Sequence, residues 1–216
     1  LIDGHSPGLF GKDLNAYIAA GIGTDHECTT IQEMQDRISR GMYVLIREGS
    51  AAKNLDTLVQ GLTPDNAHRC ALCTDDRHSE DILAQGHIVH LLRQAVRFGV
   101  PPLTAVSLAT FNAAQCFGLG SKGAVAPGYD ADLCVVDDLE GFCVREVYAK
   151  GRLVAREDQT LEDFPVSPNP GNSVILGQIQ ALDFRLPVQS TQANVIRVEP
   201  HSILTQAMIR PVQADA

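Results

Sequence analysis

The sequence predicts an α/β fold built on a parallel sheet, and two patterns in its first half support this prediction. Short apolar runs, such as residues 42–46 and 70–74, alternate with segments whose apolar residues recur at helical spacing. The runs are apolar throughout rather than at every second position. Such strands are typical of parallel sheets that are covered on both faces.

Four strand–loop–helix units follow one another in this first half. The strands are predicted to end near Ile2 and His26 and after the runs 42–46 and 70–74, with helices over 14–20, 30–40, 51–58 and 82–98. Thr30 with Glu33 three residues later is a capping-box signal for the second helix. Four such units correspond to half of a (β/α)₈ barrel.

The second half of the chain has a different pattern of predicted secondary structure. Two more helices are predicted over 104–109 and 112–117, and from Gly123 onward Gly/Pro/Asp turns separate Val-rich strands. Strands are predicted over 131–136 and 143–149, with a hairpin at Lys150-Gly151, a linker over 156–172 and short alternating strands in the tail. We therefore expect a barrel segment at 1–120, strands of a small β-domain at 121–158, and a β-rich end at 159–216.

Composition excludes several classes of protein. The 216 residues include 17 basic and 26 acidic residues, which gives a net charge of −9. The basic residues form no cluster, so binding to nucleic acid is not expected. No apolar stretch approaches the roughly 18–20 residues that span a bilayer. The six cysteines form no framework and predict reduced thiols in a cytoplasmic protein. Cys70 and Cys73 form a single C-x-x-C, which favours core packing over a redox or zinc site.

Metal-binding side chains follow three of the predicted strands. His5, His26 and Asp75 each stand at a strand's carboxyl end, and in barrels of this kind those ends meet at one rim. Imidazole and carboxylate together suit Zn²⁺, Fe²⁺ or Mn²⁺. Further candidates for substrate binding or for orienting the ligands stand on the same rim: Glu27, Arg47, Glu48, Asp76 and His78.

Several of these residues lie in blocks that resemble a known family. The blocks are Asp-Gly-His-Ser-Pro-Gly at 3–8, Arg-Glu-Gly-Ser at 47–50, Thr-Asp-Asp-Arg-His at 74–78 and the Gly/Pro/Asp-rich stretch 123–133. Together they resemble the adenine deaminase branch of the amidohydrolase superfamily. The last block is typical of the whole superfamily, whereas the first three are specific to this branch.

The resemblance implies a fold, a cofactor and an activity. The fold is the second half of a metal-dependent (β/α)₈ barrel, followed by segments of a small β-domain. His5 and His26 would be metal ligands, and Asp75 would be both a ligand and the proton shuttle. The cofactor would be a binuclear Mn²⁺ or Fe²⁺ centre, with Zn²⁺ as an alternative, and the substrate would be adenine, hydrolysed to hypoxanthine and ammonia.

One departure from the family pattern is large. This branch is expected to carry a His-x-His after the first barrel strand and a bridging Glu after the fourth, and no His-x-His occurs in these 216 residues. The chain also begins at Leu1 without a Met. We therefore expect a C-terminal portion of a longer enzyme, working as a homo-oligomer or with a partner chain that supplies the missing half of the barrel.

Two alternatives remain open. One is another cyclic amidohydrolase, of the dihydroorotase or hydantoinase kind. The other is a catalytically inactive remnant that acts as an interaction or structural protein. The presence of His5, His26 and Asp75 favours an active centre over a remnant.

Overall fold

A parallel four-stranded sheet forms the first part of the chain. The computed structural model describes residues 1–163, 171 and 190–212. The chain divides into two units. The first consists of Leu1–Leu161 together with Pro200–Ile203, and the second consists of Glu162–Glu199 together with Leu204–Ala216. Within the first unit the strands pair in chain order, and all three pairings are parallel: β1 (Ile2–Gly4), β2 (Ile22–Asp25), β3 (Tyr43–Arg47) and β4 (Cys70–Cys73).

Helices connect and follow these strands, as the sequence predicts. They are α1 (Gly11–Ala19), α2 (Ile31–Ser39), α3 (Leu55–Leu58), α4 (Ser79–Gln85), α5 (Ile88–Arg97), α6 (Pro102–Ala109) and α7 (Phe111–Cys116). The predicted capping box is confirmed at α2, where Thr30 Oγ1 accepts from the Glu33 amide and the Glu33 carboxylate accepts from the Thr30 amide. Gly41, in a left-handed backbone conformation that suits glycine, follows this helix.

Apolar side chains cover both faces of β3 and β4. On one face Val44, Ile46 and Leu72 pack with buried residues of the helices, including Met34 and Leu91. On the other face Leu45 and Ala71 pack with Cys116 of α7. The continuous apolar pattern of these strands therefore has the predicted cause. The first strand differs, because Ile2 is 55% exposed.

Two predicted helices are wrong in extent. The predicted helix over 82–98 is two helices, because Gly86 adopts a left-handed conformation between α4 and α5. The Gly86 carbonyl accepts a hydrogen bond from Arg77 Nε at 3.0 Å instead of continuing the helix. The predicted helix over 51–58 is reduced to α3, since Asp76 accepts from the amides of Ala51 and Ala52.

A buried ion pair joins α2 to the ends of β1 and β2. Arg37 Nε donates to Asp25 Oδ2 at 2.9 Å, and both side chains are fully buried. The same guanidinium donates to the carbonyl oxygens of Ser6 and Leu9. This network fixes the loop after β1 against the carboxyl end of β2.

A second, antiparallel sheet lies later in the first unit. Its strands pair in chain order: β5 (Leu133–Val136), β6 (Val144–Ala149), β7 (Arg152–Arg156) and β8 (Gln159–Thr160). The predicted hairpin at Lys150-Gly151 is confirmed, and both residues have positive φ as a tight primed turn requires. The predicted linker is wrong at Arg156, the last residue of β7, and at Gln159-Thr160, which pairs with β7. Its residues 164–170 and 172 lie outside the described residues.

Among its described residues, the second unit contains an antiparallel pair of strands, β9 (Gln192–Val198) and β10 (Thr205–Pro211), which confirms a strand in the tail. The boundaries 1–120, 121–158 and 159–216 stay predictions. Within the part of the chain that the structure describes, no helix has both the length and the apolar character to cross a membrane.

Breaking the buried pair should destabilise the fold. Arg37→Met leaves the Asp25 carboxylate buried without its cation, which typically costs about 3–5 kcal/mol. Arg40→Met is the matched control, because its ion pair with Asp36 is partly exposed and should contribute less than about 1 kcal/mol. Urea unfolding of the complete protein measures both. Equal effects of the two substitutions would contradict the assigned importance of the buried pair.

Glu33 should make stability depend on pH. Burial alone would raise the pKa of Glu33, but hydrogen bonds from Gly8 and Thr29 outweigh it, so the pKa lies below its usual 4.5. The stabilisation is therefore present above that usual value and is lost as pH falls through the lowered pKa. Glu33→Gln should be less stable by about 1–3 kcal/mol at pH 7, and the difference should shrink in acid. A difference that stays constant with pH in urea unfolding would refute this role.

Candidate metal centre

The ends of β1 and β2 bring two histidines together. Gly4 pairs with Asp25 across the two parallel strands, so the next residues, His5 and His26, are neighbours. Their ring centroids lie 4.7 Å apart in an edge-to-face arrangement. Glu27 joins them, with its Oε1 3.1 Å from His5 Nδ1. One potential ligand atom from each of these three residues lies within 4.8 Å of the others.

Asp3 orients the buried histidine. His26 Nδ1 lies 2.9 Å from Asp3 Oδ2, while Asp3 Oδ1 accepts from Thr24 Oγ1. An Nδ1–H that donates to a carboxylate leaves the Nε2 lone pair available for a cation. The His26 side chain is only 10% exposed, whereas that of His5 is 68% exposed. His26 is therefore the fixed side of the cluster and His5 the open side.

Asp75 approaches the same imidazole from the end of β4. Its Oδ2 lies 4.0 Å from His26 Nε2 and also forms an ion pair with Arg47 Nη1. Asp75 has φ of 42°, an uncommon conformation for a residue with a Cβ. All three predicted ligands therefore lie at one edge of the sheet, with His26 between His5 and Asp75.

The donor set fits a divalent transition-metal ion. It combines imidazole nitrogens with carboxylate oxygens, the ligand types that Zn²⁺, Fe²⁺ and Mn²⁺ accept. His5, His26 and Glu27 have ligand atoms within 4.8 Å of one another, and Asp75 Oδ2 lies 4.0 Å from His26 Nε2. The cluster therefore offers imidazole nitrogens and carboxylate oxygens to a cation from three strand ends.

Electrostatics differ between the charged groups of the rim. The hydrogen bond to Glu27 raises the pKa of His5, against a smaller opposing effect of burial. Burial raises the pKa of Glu48, whose carboxylate also accepts from the Leu55 amide. A cation requires neutral imidazoles, so the Glu27–His5 contact makes the cluster sensitive to acid.

Other predicted rim residues make their contacts with a neighbouring loop. Asp76 Oδ2 accepts from the Ala51 amide at 2.7 Å, and the His78 amide donates to Ser50 Oγ at 2.8 Å. A Cβ at Gly49 would meet Asp76 Oδ1 at 1.8 Å, so glycine permits this close approach. Asp76 therefore holds the loop after β3.

Several residues of the centre were not singled out by sequence reasoning. Asp3 lies in β1, two residues before His5, and Asp25 immediately precedes His26, so acidic residues beside strand-end histidines were the available signal. Glu27 was assigned to substrate binding or support, whereas the geometry makes it a potential ligand. His87, which is not among the candidates named from the sequence, has its Nε2 2.9 Å from Thr74 Oγ1, next to Asp75.

A surface cavity of about 500 Å³ lies away from this cluster. It is lined by residues that precede β4 and α6, among them Leu62, His68 and Pro101. Those residues stand at the amino end of β4, opposite the end that carries Asp75. The chemistry of the histidine cluster, and not the size of this cavity, identifies the candidate site.

Comparison with known proteins identifies the family. Residues 1–154 match the model of the amidohydrolase family. The chain belongs to this family. Amidohydrolases are generally dependent on divalent metal ions. This amidohydrolase chain resembles two solved structures in fold, an amidohydrolase from Thermotoga maritima and a β-aspartyl dipeptidase from Fervidobacterium islandicum. The Thermotoga protein has a TM-score of 0.54 and 18% identity, and the match covers 72% of this chain and 44% of that one. The Fervidobacterium protein has a TM-score of 0.56 and 15% identity, and the match covers 75% of this chain and 49% of that one.

Curated relatives of this amidohydrolase chain are more similar in sequence. It is 55% identical over its full length to a protein named adenine deaminase from Nitratidesulfovibrio vulgaris, of which it covers 38%. It is 45% identical, over 94% of its length, to a protein named adenine deaminase 2 from Desulfotalea psychrophila, of which it covers 36%. The chain thus spans well under half the length of these curated relatives.

Removing the Asp3 carboxylate should weaken metal binding. Asp3→Ala frees the His26 ring, and loss of such a partner typically lowers metal affinity about 10–100-fold. Asp13→Ala, at an exposed acidic residue in the first turn of α1, is the control that removes the same charge. Competition with a chelator for Mn²⁺ in the complete protein measures the affinity. Equal affinities of the two variants would show that Asp3 does not orient a ligand.

Proposed function

We propose that this chain carries one part of the active site of an adenine deaminase, a hydrolase that converts adenine to hypoxanthine and ammonia. The observation that carries the proposal is His26, held by Asp3 on one side and placed between His5 and Asp75 on the other. The 55% identity to a protein named adenine deaminase supports the choice of substrate.

The cofactor we propose is a binuclear centre of Mn²⁺ or Fe²⁺, with Zn²⁺ as the alternative. A divalent cation held by His5, His26 and Asp75 would lower the pKa of a bound water and so supply the nucleophile. Glu27 is a further potential ligand. A second ion needs more ligands than this cluster offers. We propose that they come from polypeptide outside these 216 residues, in a longer chain or a partner chain.

Asp75 is proposed to move the proton. Water adds to purine C6 as its oxygen forms the new C–O bond, and Asp75 takes one of its protons. Asp75 then donates that proton to the exocyclic amine as the C6–N bond breaks, and ammonia leaves. The second water proton remains on hypoxanthine, which keeps atoms and charge in balance. The half-exposed Asp75 carboxylate, beside His26, supports this assignment.

The surrounding rim is proposed to bind the purine. Four residues at or after the ends of β3 and β4 remain candidates for contact with ring nitrogens or for support of the ligands: Arg47, Glu48, Asp76 and His78. Completion of the barrel by a further half, assembly as a homo-oligomer and a cytoplasmic location also stay predictions. We assign no nucleic-acid or membrane partner, as the sequence predicts.

The direct experiment uses the complete protein, loaded in turn with Mn²⁺, Fe²⁺ and Zn²⁺. Ammonia release from adenine and the appearance of hypoxanthine support the proposal, and native mass with a metal count tests the binuclear centre. Hydrolysis of dihydroorotate or hydantoin instead would favour another cyclic amidohydrolase. A protein that binds no metal and hydrolyses none of these compounds would be the inactive remnant.

Removal of the proposed proton carrier should abolish most of the activity. Asp75→Asn keeps the shape of the side chain but cannot shuttle a proton, so kcat for adenine should fall by about 10²–10⁴-fold. Asp65→Asn, at an exposed position before β4, removes the same charge and should leave kcat within about twofold. Steady-state rates of both variants at equal metal content test this prediction. Near-normal turnover in Asp75→Asn would refute proton transfer by Asp75.

A further inference from the structure

Arg47 is a buried cation at the edge of the candidate metal centre. It is the last residue of β3, it pairs in register with Cys73 of β4, and its side chain is 3% exposed. Its Nη1 donates to Asp75 Oδ2. The guanidinium therefore reaches from one strand end to the carboxylate that follows the next strand.

This guanidinium is incompletely hydrogen-bonded. Nε and Nη2 are buried and have no hydrogen-bond partner among the described residues. Buried donors left without acceptors lower stability, and a buried ion pair is often no more stable than well-packed apolar residues of similar volume. An apolar side chain would therefore serve the fold at least as well at this position. An arginine at this position therefore indicates a task beyond packing.

The two oxygens of Asp75 have different surroundings. Oδ2 receives the Arg47 hydrogen bond and faces His26 Nε2 at 4.0 Å. Oδ1 has no described hydrogen bond, and the side chain is 39% exposed. A half-exposed carboxylate on a left-handed backbone has little else to fix its rotamer. The contact with Arg47 is the interaction that selects one orientation.

We propose that Arg47 is a positioning residue, which binds Asp75 Oδ2 and so keeps Oδ1 free to carry the proton during deamination. The proposal rests on the proposed function, because it takes the proton transfer by Asp75 as given. Of the two roles left open for Arg47 above, contact with the purine and support of a ligand, the proposal takes the second: Arg47 acts through Asp75. Its contribution should therefore appear in the rate of the chemical step and not in substrate affinity.

The test compares the parent, Asp75→Asn and four further variants of the complete, metal-loaded protein. Arg47→Met removes the charge and the donors, whereas Arg47→Lys keeps a charge with its donors on a single nitrogen and loses the planar guanidinium. Arg69→Met is the matched control, because Arg69 lies at the other end of the same two strands, over the Tyr43 ring. Arg47→Met combined with Asp75→Asn tests whether Arg47 acts through Asp75. The readouts are kcat, KM and the melting temperature.

We expect Arg47→Met to lower kcat about 100-fold, the size of effect that misplacement of a reacting group produces. KM should stay within about threefold, and Arg47→Lys should recover part of the loss, because it retains a donor. The melting temperature of Arg47→Met should equal or exceed that of the parent, and Arg69→Met should keep its kcat. A lower melting temperature with unchanged kcat would overturn the proposal and leave a structural role.

The double variant separates action through Asp75 from direct action on the substrate. In the Asp75→Asn background, Arg47→Met should cause no further loss of kcat. A further loss of about 100-fold would overturn the proposal, because it would place Arg47 on the substrate.

Failure of the proposed function would be recognised separately, as a parent protein that does not deaminate adenine. The four melting temperatures of the metal-free proteins (parent, Arg47→Met, Asp75→Asn and the double variant) then decide on Arg47. If the changes in melting temperature of the two single variants do not add up to that of the double variant, Arg47 interacts with Asp75. If they do add up, the proposal is overturned.

Discussion

The carboxylate of Asp25 is the constraint on which the candidate metal centre depends. It is fully buried, and it accepts from Arg37 Nε at 2.9 Å, from the Glu27 amide at 2.7 Å and from Ser6 Oγ. Ser6 follows His5, and Glu27 follows His26. One buried anion therefore holds the chain on both sides of the histidine pair. Because a buried charge is costly unless it is fully paired, these segments have little freedom to separate.

This arrangement explains how short strands can hold a defined site. The first strand has only three residues and exposes Ile2, so backbone pairing alone would fix His5 weakly. The hydrogen bonds around Asp25 fix the position of His5, which the short strand alone does not. The resulting cluster is asymmetric, with His26 enclosed and His5 exposed. The enclosed side defines ligand geometry, and the exposed side is where further ligands or a substrate can approach.

Sequence patterns predicted the local features and missed the long-range ones. The capping box at Thr30 and the turn at Lys150-Gly151 depend on neighbouring residues, so the sequence alone was sufficient. The break at Gly86 depends partly on Arg77, and the contact of His87 with Thr74 spans thirteen positions. The approach of His5, His26 and Asp75 to one another was predicted because parallel strands end at one edge. The contact of Asp3 with His26 was not predicted, since an acidic residue in a strand gives no sign of its partner.

Two buried arginines show how the same residue type serves stability and chemistry differently. Arg37 uses all three of its nitrogens, with donors to Asp25, Ser6, Leu9 and the Glu33 carbonyl. Arg47 is nearly as buried but uses one nitrogen, on a carboxylate that is itself half-exposed. A guanidinium with all its hydrogen bonds made stabilises the fold, because its removal leaves a buried anion without a partner. An incompletely satisfied one contributes little to the frame, so its placement beside Asp75 is explained by the carboxylate that it orients.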